Sequence, residues 1–225
     1  MIINVNNIDI HYEVFGRGPA VILLHGNGED YTIFEELIKK LRSNYKVYAI
    51  DSRCHGESTD AINISYDLMA NDVIEFIKKL DLKNPSIYGF SDGGIVALLV
   101  AAREPELVSQ IIVSGANITP DGIKFFERIA IRFLYFIKKD KVTKMMINEP
   151  NIPIKELQGI ECPVHLIVGQ KDMIKLKHTN LIKENIKNAT LEILPGETHS
   201  SYIENSEKIY DVIKPYLDEN NNKKK

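Results

Sequence analysis

Residues 89–93 read Gly-Phe-Ser-Asp-Gly, between a short apolar run at 86–90 and a longer apolar segment at 95–103. A strand that gives way to a helix across these five positions must turn sharply, and a serine at its tip takes a strained backbone. Small residues at 89 and 93 let neighbouring elements pass close by. The Ser91 oxygen then projects at the carboxyl end of the sheet, with a helix N-terminus behind it that favours developing negative charge. The five letters alone carry little weight. The strand before them and the helix after them make the pattern a nucleophile elbow.

The same alternation runs through the rest of the chain. Residues 2–5 and 8–15 flank Asn6-Asn7, which reads as a hairpin turn. Residues 20–24 form an unbroken apolar run, as in a strand covered on both faces. Phe34, Leu37, Ile38 and Leu41 give residues 31–42 helical spacing, and 45–50 read as the next strand. Ser65 is placed to cap a helix carrying Leu68, Met69, Val73, Phe76, Ile77 and Leu80 on one face. Further strands are expected at 108–113, 164–168 and 191–194, with helices at 176–186 and 201–217, the last weakened near Pro215. Strands alternating with helices imply the α/β class: a mostly parallel central sheet flanked by helices, with the first hairpin adding antiparallel strands at one edge.

At 225 residues the chain is long enough for one such domain, and residues 219–225 read as a disordered tail. Residues 117–155 exceed what a connection needs and read as a short helical cap, with a helix at 122–139 and an irregular stretch at 148–153. The net charge of −3 gives no sign of a nucleic-acid footprint. Lys138, Lys139, Lys141 and Lys144 read as a solvated face. Cys54 and Cys162 stand far apart in no metal-ligand spacing and read as reduced thiols of a cytoplasmic protein. The first residues lack a signal-peptide pattern, and the longest apolar run is too short for a bilayer, so no membrane partner is expected. The sequence leaves oligomeric state open.

A serine needs a base, and the chain offers six histidines. His11 reads as exposed, His165 as packed within a strand and His178 as solvated on a charged helix. His25 and His55 follow strands, but in glycine-bearing loops with other tasks. His199 follows the last strand through Pro195-Gly196-Glu197-Thr198, at the edge where Ser91 projects, and is the expected base. Its orienting carboxylate is expected to be Asp172, after the strand at 164–168, with Asp121 as runner-up. The chain order Ser, Asp, His suits this architecture. Leu24-His25-Gly26-Asn27-Gly28 ends an apolar strand in a glycine-rich turn, so the backbone N–H groups of Asn27 and Asp92 are the expected oxyanion donors. His25 is placed with the cap residues Phe126, Ile129 and Phe133 around the acyl group.

Residues 51–58, Asp-Ser-Arg-Cys-His-Gly-Glu-Ser, complete a set with the motifs at 25–28, 89–94, 169–172 and 196–199. Together they resemble the α/β-hydrolase superfamily, in its branch of small carboxylesterases, proline-iminopeptidase-like and haloperoxidase-like proteins. The family pattern at 51–58 is D-x-R-G-H-G-x-S, and here Cys54 replaces its first glycine. The resemblance implies a serine hydrolase acting on a small-molecule acyl substrate through an acyl-enzyme, with no cofactor and no metal. Asp92 beside the nucleophile also resembles the amino-acid-ester hydrolases, so an aminoacyl ester or amide hydrolase, or a proline-iminopeptidase-type peptidase, is an alternative. Another alternative is a ligand-binding or signalling protein on the same fold.

Overall fold

Asn6 and Asn7 both take left-handed backbone angles, φ 49° and 62°, a turn whose twist matches paired strands. They fold β1 (Ile2–Val5) back on β2 (Ile8–Phe15). The remaining strands are β3 (Ala20–Leu24), β4 (Lys46–Ile50), β5 (Ser86–Phe90), β6 (Gln110–Ser114), β7 (Val164–Gly169) and β8 (Ala189–Leu194). They form one eight-stranded sheet in the order β1-β2-β4-β3-β5-β6-β7-β8. β2 pairs antiparallel with β1 and β4, and every later pairing is parallel. The structure is a computed structural model that describes residues 1–222.

The helices are α1 (Glu35–Leu41), α2 (Tyr66–Lys79), α3 (Asp92–Arg103), α4 (Phe125–Lys138), α5 (Lys141–Asn148), α6 (Ile154–Gln158), α7 (Leu176–Glu184) and α8 (Lys208–Asn222). Side chains alternate across the sheet and feed two cores. Ile22, Leu24, Ile87, Ile111 and Val113 pack on the side of α2 and α3. Val21, Leu23, Tyr88, Phe90 and Ile112 pack on the side of α1 and α8. Burial on both faces is why these strands are apolar without a break.

Local signals fix several elements. The Ser65 hydroxyl accepts from the Leu68 N–H at 3.1 Å and starts α2. Cys54 sits at φ 64°, the left-handed conformation for which the family pattern has glycine, so the backbone path survives the substitution. Both cysteines are free thiols.

Four expectations change. The helix expected over 31–42 is a 3-10 turn, Tyr31–Phe34, followed by α1, because the Asp30 carboxylate accepts from the Thr32 N–H and starts a tight turn first. The cap holds a helix with no counterpart in the expected pattern: α5 forms where Asp140 accepts from the Thr143 N–H at 2.7 Å. The last helix starts at Lys208, later in the chain than expected. It continues through Pro215 to Asn222, so residues 219–222 are helical rather than tail. Pro215 forfeits one hydrogen bond, but Ile209, Ile213 and Leu217 are buried in the α1-side core, and that burial outweighs the loss. Residues 223–225, the rest of the expected tail, lie outside the described residues.

Candidate active site

Strand register assembles the site. Leu24 lies beside Gly89 in the parallel pair β3–β5, so the loop after each strand starts at the same height. Phe90 lies beside Ser114, and Gly169 beside Leu194, which brings the loops after β6, β7 and β8 to the same edge. Carboxyl ends of neighbouring parallel strands are where such sheets gather polar groups.

Ser91 stands between β5 and α3 at φ 52°, ψ −113°, a strained position that lifts its side chain clear of both elements. Its N–H donates to the Ser114 carbonyl at 2.8 Å, and its carbonyl accepts from Gly94 and Ile95, which ties the elbow down on both sides. His199 Nε2 lies 3.0 Å from Ser91 Oγ. His199 Nδ1 lies 2.8 Å from Asp172 Oδ1. A carboxylate only accepts, so Nδ1 carries the proton and Nε2 is left as acceptor for the serine hydroxyl. The Ile174 N–H also donates to Asp172 Oδ1, at 2.8 Å, and the carboxyl is buried. Gly115, at φ 64°, passes beneath the imidazole, where a Cβ would come within 2.7 Å of His199 Cε1. Phe90 packs on the same ring at 5.0 Å between centroids. The ring is therefore held by contact as well as by hydrogen bonds.

The loop after β3 runs beside the elbow. A Cβ on Gly26 would lie 2.8 Å from Glu29 Oε2 and 3.2 Å from Ser91 Cβ, so a larger residue there would crowd both side chains. Among the described residues no hydrogen bond within the protein uses the N–H of Asn27 or that of Asp92. Asp92 opens α3, where the first N–H groups have no partner in their own helix. The Asn27 side-chain amide donates to Asp92 Oδ2 at 2.8 Å, and the Tyr66 hydroxyl donates to Asp92 Oδ1 at 2.7 Å. Burial raises the Asp92 pKa above the usual carboxylate value, and the bonds from Tyr66 and Asn27 oppose that rise. Asn27 also donates to the Val142 carbonyl at 3.3 Å, which links the loop to the first turn of α5 in the cap.

Ser91, His199 and Asp172 are thus brought together, with Asn27 and Asp92 beside them. The expected acyl-pocket residues are not. His25 is fully buried, donating from Nδ1 to the Gly26 carbonyl at 2.7 Å and accepting at Nε2 from the Ser52 N–H at 3.0 Å. Burial, then the neighbouring His55, lowers its pKa to about 4, so it is a neutral brace between two loops. Phe126, Ile129 and Phe133 are exposed, because α4 turns its apolar side to solvent.

Two other histidines differ from expectation. His11 is buried between Asp51 and Glu13, at 2.9 and 3.2 Å. His178 accepts from the Ile118 N–H at 3.0 Å, and burial followed by Lys175 lowers its pKa. Asp121, the runner-up acid, is exposed and paired with Arg128. The segment at 51–58 is structural: Asp51 accepts from the N–H groups of Tyr31 and Glu57, and Arg53 forms a buried two-point pair with Asp72 at 2.6 and 2.7 Å.

One group had no sequence signal. Glu29 accepts from the Gly26 N–H at 2.9 Å, inside the turn that presents Asn27. Burial raises its pKa to about 7, against the opposing pull of that N–H and of His199. Its place beside the elbow depends on how β3 and β5 pair, which the residues around it do not encode.

The family model described as alpha/beta hydrolase fold matches residues 19–141, more than half of the chain. The chain is 26% identical over 249 residues to the human (Homo sapiens) serine hydrolase BPHL, covering 95% of this chain and 84% of that protein. Among solved structures, the esterase EaEST from Exiguobacterium antarcticum superposes with a TM-score of 0.83 at 21% identity, over 95% of this chain and 97% of the other. The enol-lactonase from Burkholderia xenovorans LB400 gives 0.81 at 18% identity, over 96% and 99%. At these identities the structural likeness establishes the fold, and the chemistry rests on the site.

Proposed function

The chain belongs to the alpha/beta hydrolase fold family, and from that premise we propose that it is a serine hydrolase cleaving a carboxylic ester, or a related acyl bond, of a small molecule. The observation that carries the reading is the unbroken chain Ser91 Oγ–His199–Asp172, at 3.0 and 2.8 Å. In this mechanism His199 Nε2 takes the hydroxyl proton as Ser91 Oγ attacks the acyl carbon. Asp172 holds the imidazole in the required tautomer and stabilises the imidazolium. The N–H groups of Asn27 and Asp92 receive the oxyanion, a contribution of about 10²–10³ in rate per donor. His199 then passes its proton to the leaving alcohol. Water attacks the acyl-enzyme with the same histidine as base, which returns free Ser91 and a carboxylic acid.

The aminoacyl alternative draws no support from Asp92. Both of its oxygens are occupied, by Tyr66 and Asn27, and the side chain is buried. Its role in this reading is to orient Asn27.

The test is steady-state hydrolysis of p-nitrophenyl esters of increasing acyl length, with covalent labelling by a fluorophosphonate. Wild type should turn over repeatedly and label once. Ser91→Ala should lose labelling and at least about 10⁴-fold in kcat. A single burst with no steady state favours the receptor alternative. Retained turnover in Ser91→Ala overturns the assignment.

A further inference from the structure

A surface helix ordinarily turns its apolar stripe to the core. α4 does the reverse. Phe126, Phe133, Phe136 and Ile137 are 80, 64, 72 and 63% exposed, whereas Arg128, Ile131 and Tyr135 face inward and are partly buried. Three phenylalanines and an isoleucine on one solvent-facing side form a contiguous patch of the kind that marks an interaction surface.

The charges around the patch say what fits it. Residues 124–144 carry seven Lys or Arg against Glu127 and Asp140, in a chain whose net charge is −3. Arg128 and Lys141 are paired, with Asp121 and Asp60. Lys124, Arg132, Lys138, Lys139 and Lys144 have no ion pair among the described residues. Lys124 precedes α4, Lys138 and Lys139 lie at its far end and Lys144 follows in α5, so cations stand at both ends of the aromatic helix. A second copy of this chain would bring a like-charged surface against its own, which opposes pairing. An anionic lipid surface offers both complements: headgroup charge for the cations, and an acyl boundary for the rings.

We propose that α4 seats this protein peripherally on anionic lipid surfaces, lying in the interface with Phe126, Phe133, Phe136 and Ile137 inserted. The seat adjoins the candidate active site. α4 ends at Lys138, and α5 begins at Lys141, just before the Val142 carbonyl that accepts from Asn27. Seated this way, the protein holds its active-site edge near the lipid. Binding does not depend on the serine chemistry.

The test is co-sedimentation with phosphatidylcholine vesicles with and without about 30 mol% phosphatidylglycerol. Wild type and Ser91→Ala should bind the anionic vesicles equally, at least about tenfold more strongly than the neutral ones, and weaken in high salt. The exposed double variant Phe126→Ser/Phe133→Ser should lose at least about tenfold in partition, and Lys138→Glu/Lys139→Glu should remove the preference for anionic lipid. Circular dichroism and thermal melting of each variant should match wild type. Absence of wild-type binding, or binding unchanged by both variants, overturns the proposal. So does a dimer in sedimentation velocity that the phenylalanine variant dissociates without any vesicle binding, which would assign the face to a second copy. Loss of vesicle binding in Ser91→Ala alone would also count against it, whereas loss of hydrolysis alone would not.

Discussion

Glu29 is a partly buried carboxyl in the turn that presents Asn27. Burial raises its pKa from 4.5 to about 7, and His199, Asp92 and Glu204 are the charged groups that act on it. Between those two values the folded protein holds a proton that the unfolded chain has released. The stability this group contributes is therefore full below about pH 4.5 and is lost as pH rises through about 7. Glu29→Gln keeps an acceptor for the Gly26 N–H and removes the ionisation. Its melting temperature relative to wild type should be higher at about pH 8 than at about pH 4.5; thermal unfolding at both values reads this directly. A difference that does not change with pH would show that Glu29 does not titrate in this window. Asp172 makes a sharper kinetic case. Asp172→Asn preserves shape but favours the wrong imidazole tautomer, and should lower kcat by about 10⁴ with little change in KM. An Asn variant within tenfold of wild type would remove Asp172 from the mechanism.

At the scale of elements, the close crossing of β3 and α3 carries the geometry. A Cβ on Gly93 would lie 2.1 Å from the Leu24 carbonyl oxygen, and one on Gly89 would lie 2.2 Å from the Gly93 carbonyl oxygen. These contacts are to backbone, so no side chain can move aside. Gly93→Ala should push α3 off the end of β3, cost about 3 kcal/mol in urea unfolding, and displace Asn27 from Ser91. A variant with wild-type stability and activity would mean that the crossing tolerates a Cβ. The same elements show what the residue order can encode. The Asn6-Asn7 turn, the Ser65 cap and the elbow at 89–93 were legible because each is a local device with its chemistry in adjacent residues. Ser91, Asp172 and His199 were legible because each follows a strand whose end the pattern marks. The surroundings of the site were not. Tyr66 and the Val142 carbonyl reach Asp92 and Asn27 through tertiary packing, and the burial that raises the Glu29 pKa comes from packing as well, although its bond to Gly26 is local. His25 misled for the complementary reason: its place after a strand looked like a pocket position, but both ring nitrogens are used inside the fold. The cap's rings misled because periodicity reveals that a helix has an apolar side, not which way that side turns.

For the whole molecule, the two-sided sheet makes α8 indispensable, although the end of the chain reads as expendable. Ile209, Ile213 and Leu217 are 0, 0 and 1% exposed and complete the core on the α1 side. Burying three such side chains contributes about 5–9 kcal/mol, as much as the whole net stability of many domains. Polar contacts fix the helix in place: Tyr45 donates to Asp218, and the Gln110 side chain donates to the Tyr216 carbonyl at 3.2 Å. A chain ending at Glu207 should therefore show no cooperative urea transition, even though every residue of the candidate active site precedes the cut. A chain ending at Asp218 keeps the three buried residues and the Tyr45 contact. It loses the Asn220 side-chain bond to Ser109 Oγ at 2.8 Å, and should fold with a loss of about 1 kcal/mol. The contrast between the two lengths is the measurement. If the shorter chain unfolds cooperatively at the wild-type midpoint, the second core is not holding the sheet, and the alignment of β5 with β7 and β8 that brings Ser91 to His199 must come from the α2–α3 side alone.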